Sequence, residues 1–132
     1  MTSSITLLLV EDEPLILLSA EDALRGGGYS VIAVHSAAEA MSIIDEQGAL
    51  LAGLVTDVRL GSGPDGWEVA RHARSLKIDM PIVYTTGDSA ADWRVQGVPE
   101  SVVIQKPYAP AQLVTAISEL LTKLDTNNAR RI

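Results

Sequence analysis

Three short apolar runs, far apart in the chain, each stop on side chains capable of chemistry. Leu7–Val10 runs into Glu11, Asp12 and Glu13; Leu54–Thr56 stops on Asp57; Ser101–Gln105 stops on Lys106 and Pro107. A short apolar run bounded by turn residues is the pattern of a buried parallel strand, which shows little alternation because both of its faces are covered. In an open α/β sheet, ligands bind in the crevice outside the carboxyl ends of the strands. Three such strands would therefore deliver carboxylates and one ammonium to a single edge. Crowded carboxylates call for a hard cation, and a lysine beside them calls for an anion. Together they point to magnesium-dependent phosphoryl chemistry, in which the protein positions the group and neutralises the charge on its equatorial oxygens.

The elements that must hold these residues alternate along the chain. Strands are expected at Ile5–Val10, Val31–Val34, Leu51–Thr56, Pro81–Thr85 and Val102–Gln105. Helices are expected at Pro14–Arg25, behind Ser36, and at Trp67–Leu76, Ala90–Gln96 and Pro110–Leu124. Pro14 suits a first helical turn, Gly26–Gly28 ends that helix, and Ser36 with Glu39 three residues on has the spacing of a capping box. The second helix carries Ala37, Met41 and Ile44 on one face, and the last carries the stripe Leu113, Ile117, Leu120, Leu121, Leu124. Strict alternation of five strand and five helix patterns implies an α/β fold, a parallel sheet with helices on both faces. Neither a repeat nor an interdomain linker is visible, so residues 1–124 are read as one domain, and the polar segment Asp125–Ile132 is expected to fray.

The bulk properties exclude several classes of function. A chain of 132 residues is long enough to bury a real core. A net charge of −7 argues against nucleic acid or an anionic membrane as the direct partner. The absence of cysteine excludes disulfides and thiolate metal sites and fits a reducing compartment. Met1–Thr6 lacks a basic region, and the apolar stretch before Glu11 is too short for a signal peptide or a membrane span. The expectation is a cytoplasmic protein without membrane contact.

The span Ile5–Leu124 resembles the receiver domain of two-component response regulators. The matching residues are Glu11-Asp12 after the first strand pattern, Asp57 after the third, Thr86 after the fourth and Lys106-Pro107 after the fifth, in that family's order and separations. The resemblance implies a flavodoxin-like, doubly wound sheet of strand order 2-1-3-4-5. It implies that Asp57 is the phosphoacceptor, attacking the phosphorus of a histidine kinase's phosphohistidine. Mg²⁺ would be held by Asp12 directly, by Glu11 through water, by Asp57, and by the backbone carbonyl of Arg59. Lys106 would pair with the phosphoryl oxygens, Thr86 rather than Thr85 would, by strand alternation and the family pattern, donate its hydroxyl to one of them, and Gly87 would leave the group room to enter. Arg59 and Asp88, of opposite charge, would face each other across the mouth and border the path of the hydrolytic water. The partners implied are a histidine kinase or phosphotransfer protein and a downstream protein, with the chain itself a monomer or weak dimer.

The chain departs from the common receiver pattern in two places. Many receivers carry Tyr or Phe three residues before the lysine; here that position is Val103, so an aromatic rotamer there cannot carry the signal. The segment Pro81–Asp88 is similar to that of an atypical subgroup that also lacks this aromatic: Pro81, Thr86 and Gly87 match, Tyr84 is a conservative replacement, and Asp88 departs. The loop Val58–Gly66 is one residue longer than the common spacing, and its glycines suggest a flap over the site. Glu13, His35, His72 and Trp67 are read as helix-terminal, surface or packing residues, and Trp93 as a partner-contact candidate. With no further domain after Leu124, output would be protein contact or phosphoryl relay; the alternative is a receiver module of a larger hybrid kinase. A flavodoxin-like electron carrier needs a Ser/Thr/Gly-rich phosphate loop after the first strand, where Glu11, Asp12 and Glu13 would repel the ligand. A phosphatase for outside substrates lacks any pocket signature.

Overall fold

The computed structural model describes residues 5–130, with the side chain of Arg130 excepted. The start Met1–Ser4 and the last two residues of the expected tail, Arg131 and Ile132, lie outside the described residues. Five strands are formed: β1 (Thr6–Val10), β2 (Ser30–Val34), β3 (Gly53–Asp57), β4 (Ile82–Thr86) and β5 (Val102–Gln105). Every neighbouring pair is parallel, and the order is β2-β1-β3-β4-β5. Strands are added on one side of β1 and then, from β3 on, on the other, and the switch between β1 and β3 opens the crevice where such sheets bind ligands.

Side chains alternate between the sheet's faces, and the strand residues divide accordingly. Leu7, Leu9, Val55, Val83 and Ile104 pack with Ala20 and Leu24 of α1 (Pro14–Gly26) and Leu113 and Ile117 of α5 (Pro110–Arg130). Leu8, Val10, Leu54, Ile82 and Tyr84 pack with Ala40 and Ile44 of α2 (Ala37–Gln47) and Val69, Ala70 and Ala73 of α3 (Gly66–Leu76). All five residues of β3 and of β4 are buried. The two strands that carry Asp57 and Thr86 are thus the most enclosed in the sheet, which fixes where their carboxyl ends lie.

Helix ends follow local chemistry. Pro14 starts α1, and Gly28, at φ +100°, turns the chain toward β2. Ser36 caps α2 by accepting the Glu39 N–H at 3.2 Å, while its own hydroxyl donates to the Glu39 carboxylate at 3.1 Å, so only half of the expected reciprocal box forms. The complete capping box is at α3: the Asp65 carboxylate accepts the Glu68 N–H at 3.0 Å and the Glu68 carboxylate accepts the Asp65 N–H at 3.3 Å. Asp65 and Glu68 have the right spacing in the sequence, and the preceding Pro and Gly residues masked it as loop.

Two segments differ from expectation. The helix expected over Ala90–Gln96 is a 3₁₀ turn, Ala90–Asp92, followed by the single turn α4 (Trp93–Gln96), with no fully buried residue in either. α5 continues to Arg130, past the expected end at Leu124. The apolar stripe stops there, but no Gly or Pro follows to stop the helix, and a helix needs no buried face to run on for a further turn.

Candidate functional site

The carboxyl edge of the sheet is assembled from three strand ends. Glu11 follows β1 and its backbone N–H donates to Val34, extending that strand's ladder by one residue. Asp57 is the last residue of β3, and Lys106 follows β5, its N–H donating to the Thr86 carbonyl at 2.8 Å. The three share the sheet face that carries α1 and α5, because each is an even number of positions from Leu9, Val55 or Ile104. Lys106 Nζ donates to Glu11 Oε1 at 2.8 Å and lies 3.2 Å from Asp57 Oδ2. The Glu13 N–H donates to the other Glu11 oxygen at 3.2 Å, so Glu13 contributes its backbone and both Glu11 oxygens are held. Asp12 is exposed, and oxygen atoms of Glu11, Asp12 and Asp57 lie within 4.8 Å of one another.

Electrostatics there are dominated by enclosure. Burial, reinforced by the Asp57 charge, pushes the Glu11 carboxyl up to about 7, against the pull of Lys106 and the Glu13 N–H. Burial likewise raises Asp57, partly offset by Lys106 and Glu11. Desolvation opposes the charge on Lys106, but its contacts with Glu11 and Asp57 outweigh it and the ammonium is held above its ordinary value. Mutual repulsion among the acids is secondary to burial. An all-oxygen set of carboxylates, one of them exposed to water, suits a hard cation that keeps part of its hydration shell.

The β4 side of the site is built differently. The register pairs Asp57 with Thr85, so alternation alone selects Thr85 as the residue on Asp57's face; Thr86 projects from the opposite face at the strand's last position. Its choice as the phosphoryl-sensing hydroxyl therefore rests on the family pattern. Thr86 is buried, and its Oγ1 accepts the N–H groups of Ser89 at 2.9 Å and Asp88 at 3.3 Å. With both lone pairs used, the hydroxyl hydrogen is left to donate elsewhere. Gly87 has open space around it.

Arg59 and Asp88 do meet: Arg59 Nε lies 2.9 Å from each Asp88 oxygen, tying the loop after β3 to the loop after β4. The Ser89 hydroxyl, at 2.9 Å from Asp88 Oδ1, and then Arg59 hold the Asp88 carboxyl below its ordinary value. Ser89 was not singled out in the sequence; its role depends on the turn after β4, which no spacing announces. Gly66 is another such residue. A Cβ there would lie 2.0 Å from the Asp57 carbonyl oxygen, so only glycine lets α3 begin against the phosphoacceptor candidate's own backbone. Trp67 packs behind it on Tyr84, with ring centres 4.5 Å apart, and the Tyr84 hydroxyl accepts the Val98 N–H. Trp93 is half-buried against the same core and donates its indole N–H to Ser101 at 2.9 Å. His72 meets Asp45 at 2.6 Å and His35 meets Glu39 at 3.4 Å, both away from the acidic edge.

A doubly wound parallel sheet that turns one buried aspartate, a lysine and a further pair of acids toward the same edge is the build of a phosphoacceptor signalling domain. Comparison with known proteins gives the family. The profile of the response regulator receiver domain matches residues 7–118. A crystal structure of a response regulator receiver protein from Sinorhizobium medicae WSM419 superposes with a TM-score of 0.88 at 44% identity, covering 91% of this chain and 96% of that one. Response regulator MprA of Mycobacterium ulcerans (strain Agy99) is 33% identical over 132 residues, and sensor kinase CckA of Brucella abortus (strain 2308) 31% identical over 128. These alignments take in 96% and 95% of this chain but only 55% and 13% of those proteins. The chain belongs to the response regulator receiver domain family. Receiver domains are signalling domains rather than enzymes acting on outside substrates. Among the described residues, no helix is long and apolar enough to cross a membrane.

Proposed function

We propose that Asp57 accepts a phosphoryl group from a histidine kinase or phosphotransfer protein in a Mg²⁺-dependent reaction, and that the domain signals onward by protein contact or phosphoryl relay. The observation that carries this reading is the convergence of Glu11, Asp57 and Lys106 through two contacts of 2.8 and 3.2 Å at the carboxyl edge of the sheet. The bound cation would supply counter-charge to the phosphoryl oxygens. Asp12 and Asp57 would be its carboxylate ligands, with the Arg59 backbone carbonyl, and Glu11, whose oxygens already have donors, would act through water. Lys106 passes from Asp57 to the phosphoryl group, exchanging a carboxylate for a phosphoryl oxygen without leaving the edge. The Thr86 hydroxyl donates to another of those oxygens, and Gly87 keeps the approach open. Arg59 and Asp88 border the way in for water and govern how long the acyl phosphate survives.

Acetyl phosphate with Mg²⁺ tests the assignment. Intact mass and Phos-tag mobility should show a single phosphoryl group on the wild-type protein, none on Asp57→Asn, and none on wild type in excess EDTA. A full mobility shift retained in Asp57→Asn would place the phosphoacceptor elsewhere.

A further inference from the structure

Ser89 occupies the N-cap position of the 3₁₀ turn Ala90–Asp92. A serine there ordinarily turns its hydroxyl oxygen inward to accept a helix N–H. Here it does not: the side chain makes no cap hydrogen bond, and the Asp92 N–H is taken instead by the Ser89 carbonyl at 3.0 Å. The hydroxyl is instead spent on Asp88, donating to Oδ1 at 2.9 Å. Ser89 is buried while the two side chains it serves are open to solvent, Arg59 by 73% and Asp88 by 56%. An exposed ion pair of that kind contributes little to stability; the Ser89 hydroxyl satisfies its own donor on the Asp88 carboxylate and at the same time fixes where that carboxylate lies.

The hydrogen bonds around Ser89 connect Thr86 to the ion pair. The Thr86 hydroxyl oxygen accepts the Ser89 N–H at 2.9 Å, the Ser89 hydroxyl donates to Asp88, and the same Asp88 carboxylate accepts Arg59 Nε at 2.9 Å. Each bond restrains the position of the next group. We propose that Ser89 is a positioning residue that couples Thr86 to the Arg59–Asp88 ion pair and so sets the lifetime of the phosphoryl group on Asp57. The inference rests on the phosphoacceptor reading above. Water's oxygen attacks phosphorus, the bond from phosphorus to the Asp57 oxygen breaks with its electron pair returning to the carboxylate, and water's protons end on inorganic phosphate and solvent. Ser89 touches none of these atoms. It holds Asp88 so that Arg59 stays across the gap between the loops after β3 and β4, and it transmits any shift of Thr86 to that strap.

The test is the decay of the Asp57 phosphoryl group after loading with acetyl phosphate and removal of the donor, in Mg²⁺, followed by Phos-tag mobility. Ser89→Ala, and Ser89→Gly as a second variant without the hydroxyl, should decay several-fold faster than wild type at a nearly unchanged melting temperature. Ser89→Thr, which keeps the hydroxyl, should restore the wild-type rate. Asp88→Ala should also decay faster, and adding Ser89→Ala to it should cause no further change, because the hydroxyl then has nothing to hold. Wild-type decay in both hydroxyl-less variants, or rate effects of Ser89→Ala and Asp88→Ala that multiply, would overturn the coupling while leaving Asp57 as phosphoacceptor. A wild-type protein that takes no phosphoryl group would overturn both.

Discussion

Glu11 holds Lys106 in place while sitting beside Asp57 in a buried setting. Its carboxyl is raised from 4.5 to about 7 mainly by that burial. An acid whose folded pKa exceeds its unfolded value favours the fold at low pH, and the advantage is lost as pH rises from the unfolded to the folded value. In metal-free protein, Glu11 should therefore cost stability progressively between about pH 4.5 and 7. Urea titrations of wild type and Glu11→Gln across that range should show their stability difference changing in this sense; parallel pH profiles would mean that Glu11 does not titrate there. Much of this chemistry was legible in the sequence, since Glu11, Asp12, Asp57 and Lys106 each end an apolar run and the fold gathers run ends at one edge. Ser89 and Gly66 were not legible. Their importance comes from a turn that brings Ser89 under Thr86 and from a helix start pressed onto the Asp57 carbonyl, and neither leaves a periodic trace.

Among the elements, the stretch from Thr86 to Val98 is the least supported by packing. Its 3₁₀ turn and α4 contribute no fully buried residue, and Val95 is 85% exposed. The segment is fastened at separate points: Thr86 Oγ1 at its start, Arg71 donating to the Gln96 carbonyl at 3.1 Å, and Tyr84 accepting the Val98 N–H at 3.1 Å. Elements with few buried apolar contacts open locally at low free energy, and a ligand that engages one fastening biases the open–closed balance. Amides of residues 88–97 should exchange fastest among the secondary elements of the unliganded protein and slow when Mg²⁺ and beryllofluoride occupy the site. Hydrogen exchange read by mass spectrometry decides this; protection gained only in α1 or α5 would show that the response runs through the other face of the sheet. The sequence marked this segment as weak through its scarcity of apolar residues. It could not show the break into two short turns, because helix type there follows from where the fastenings fall rather than from composition.

At the scale of the molecule, two apolar layers share one sheet, and β3 and β4 are walled in by both. That arrangement leaves no layer able to melt alone. Ile117→Ala, which removes a fully buried side chain of α5 facing Leu7 and Leu9, should cost about 2–5 kcal/mol. The loss should appear in one transition, with circular dichroism and tryptophan emission giving the same urea midpoint, as a single small domain requires. Helix faces and most element limits were readable from apolar runs and stripes, because in this fold burial is periodic, whereas the strand order came from the resemblance to receiver domains. The end of α5 was not, since beyond Leu124 the helix continues on backbone hydrogen bonds without an apolar face to announce it.

The two tryptophans sit in surroundings that should make them optically distinct. Trp67 is buried on the ring of Tyr84, whereas Trp93 is half open, its indole lying so close on Gly97 that a Cβ there would come within 2.4 Å of its ring. Removing Trp67 as a fluorophore leaves one lamp, mounted on the weakly packed segment and wired by its N–H to Ser101. The protein therefore carries its own dye for the state of that segment. In Trp67→Phe, any change in emission colour on adding beryllofluoride and Mg²⁺ would come from residue 93 alone, so the occupancy of an aspartate on β3 could be followed as light from a helix it never touches.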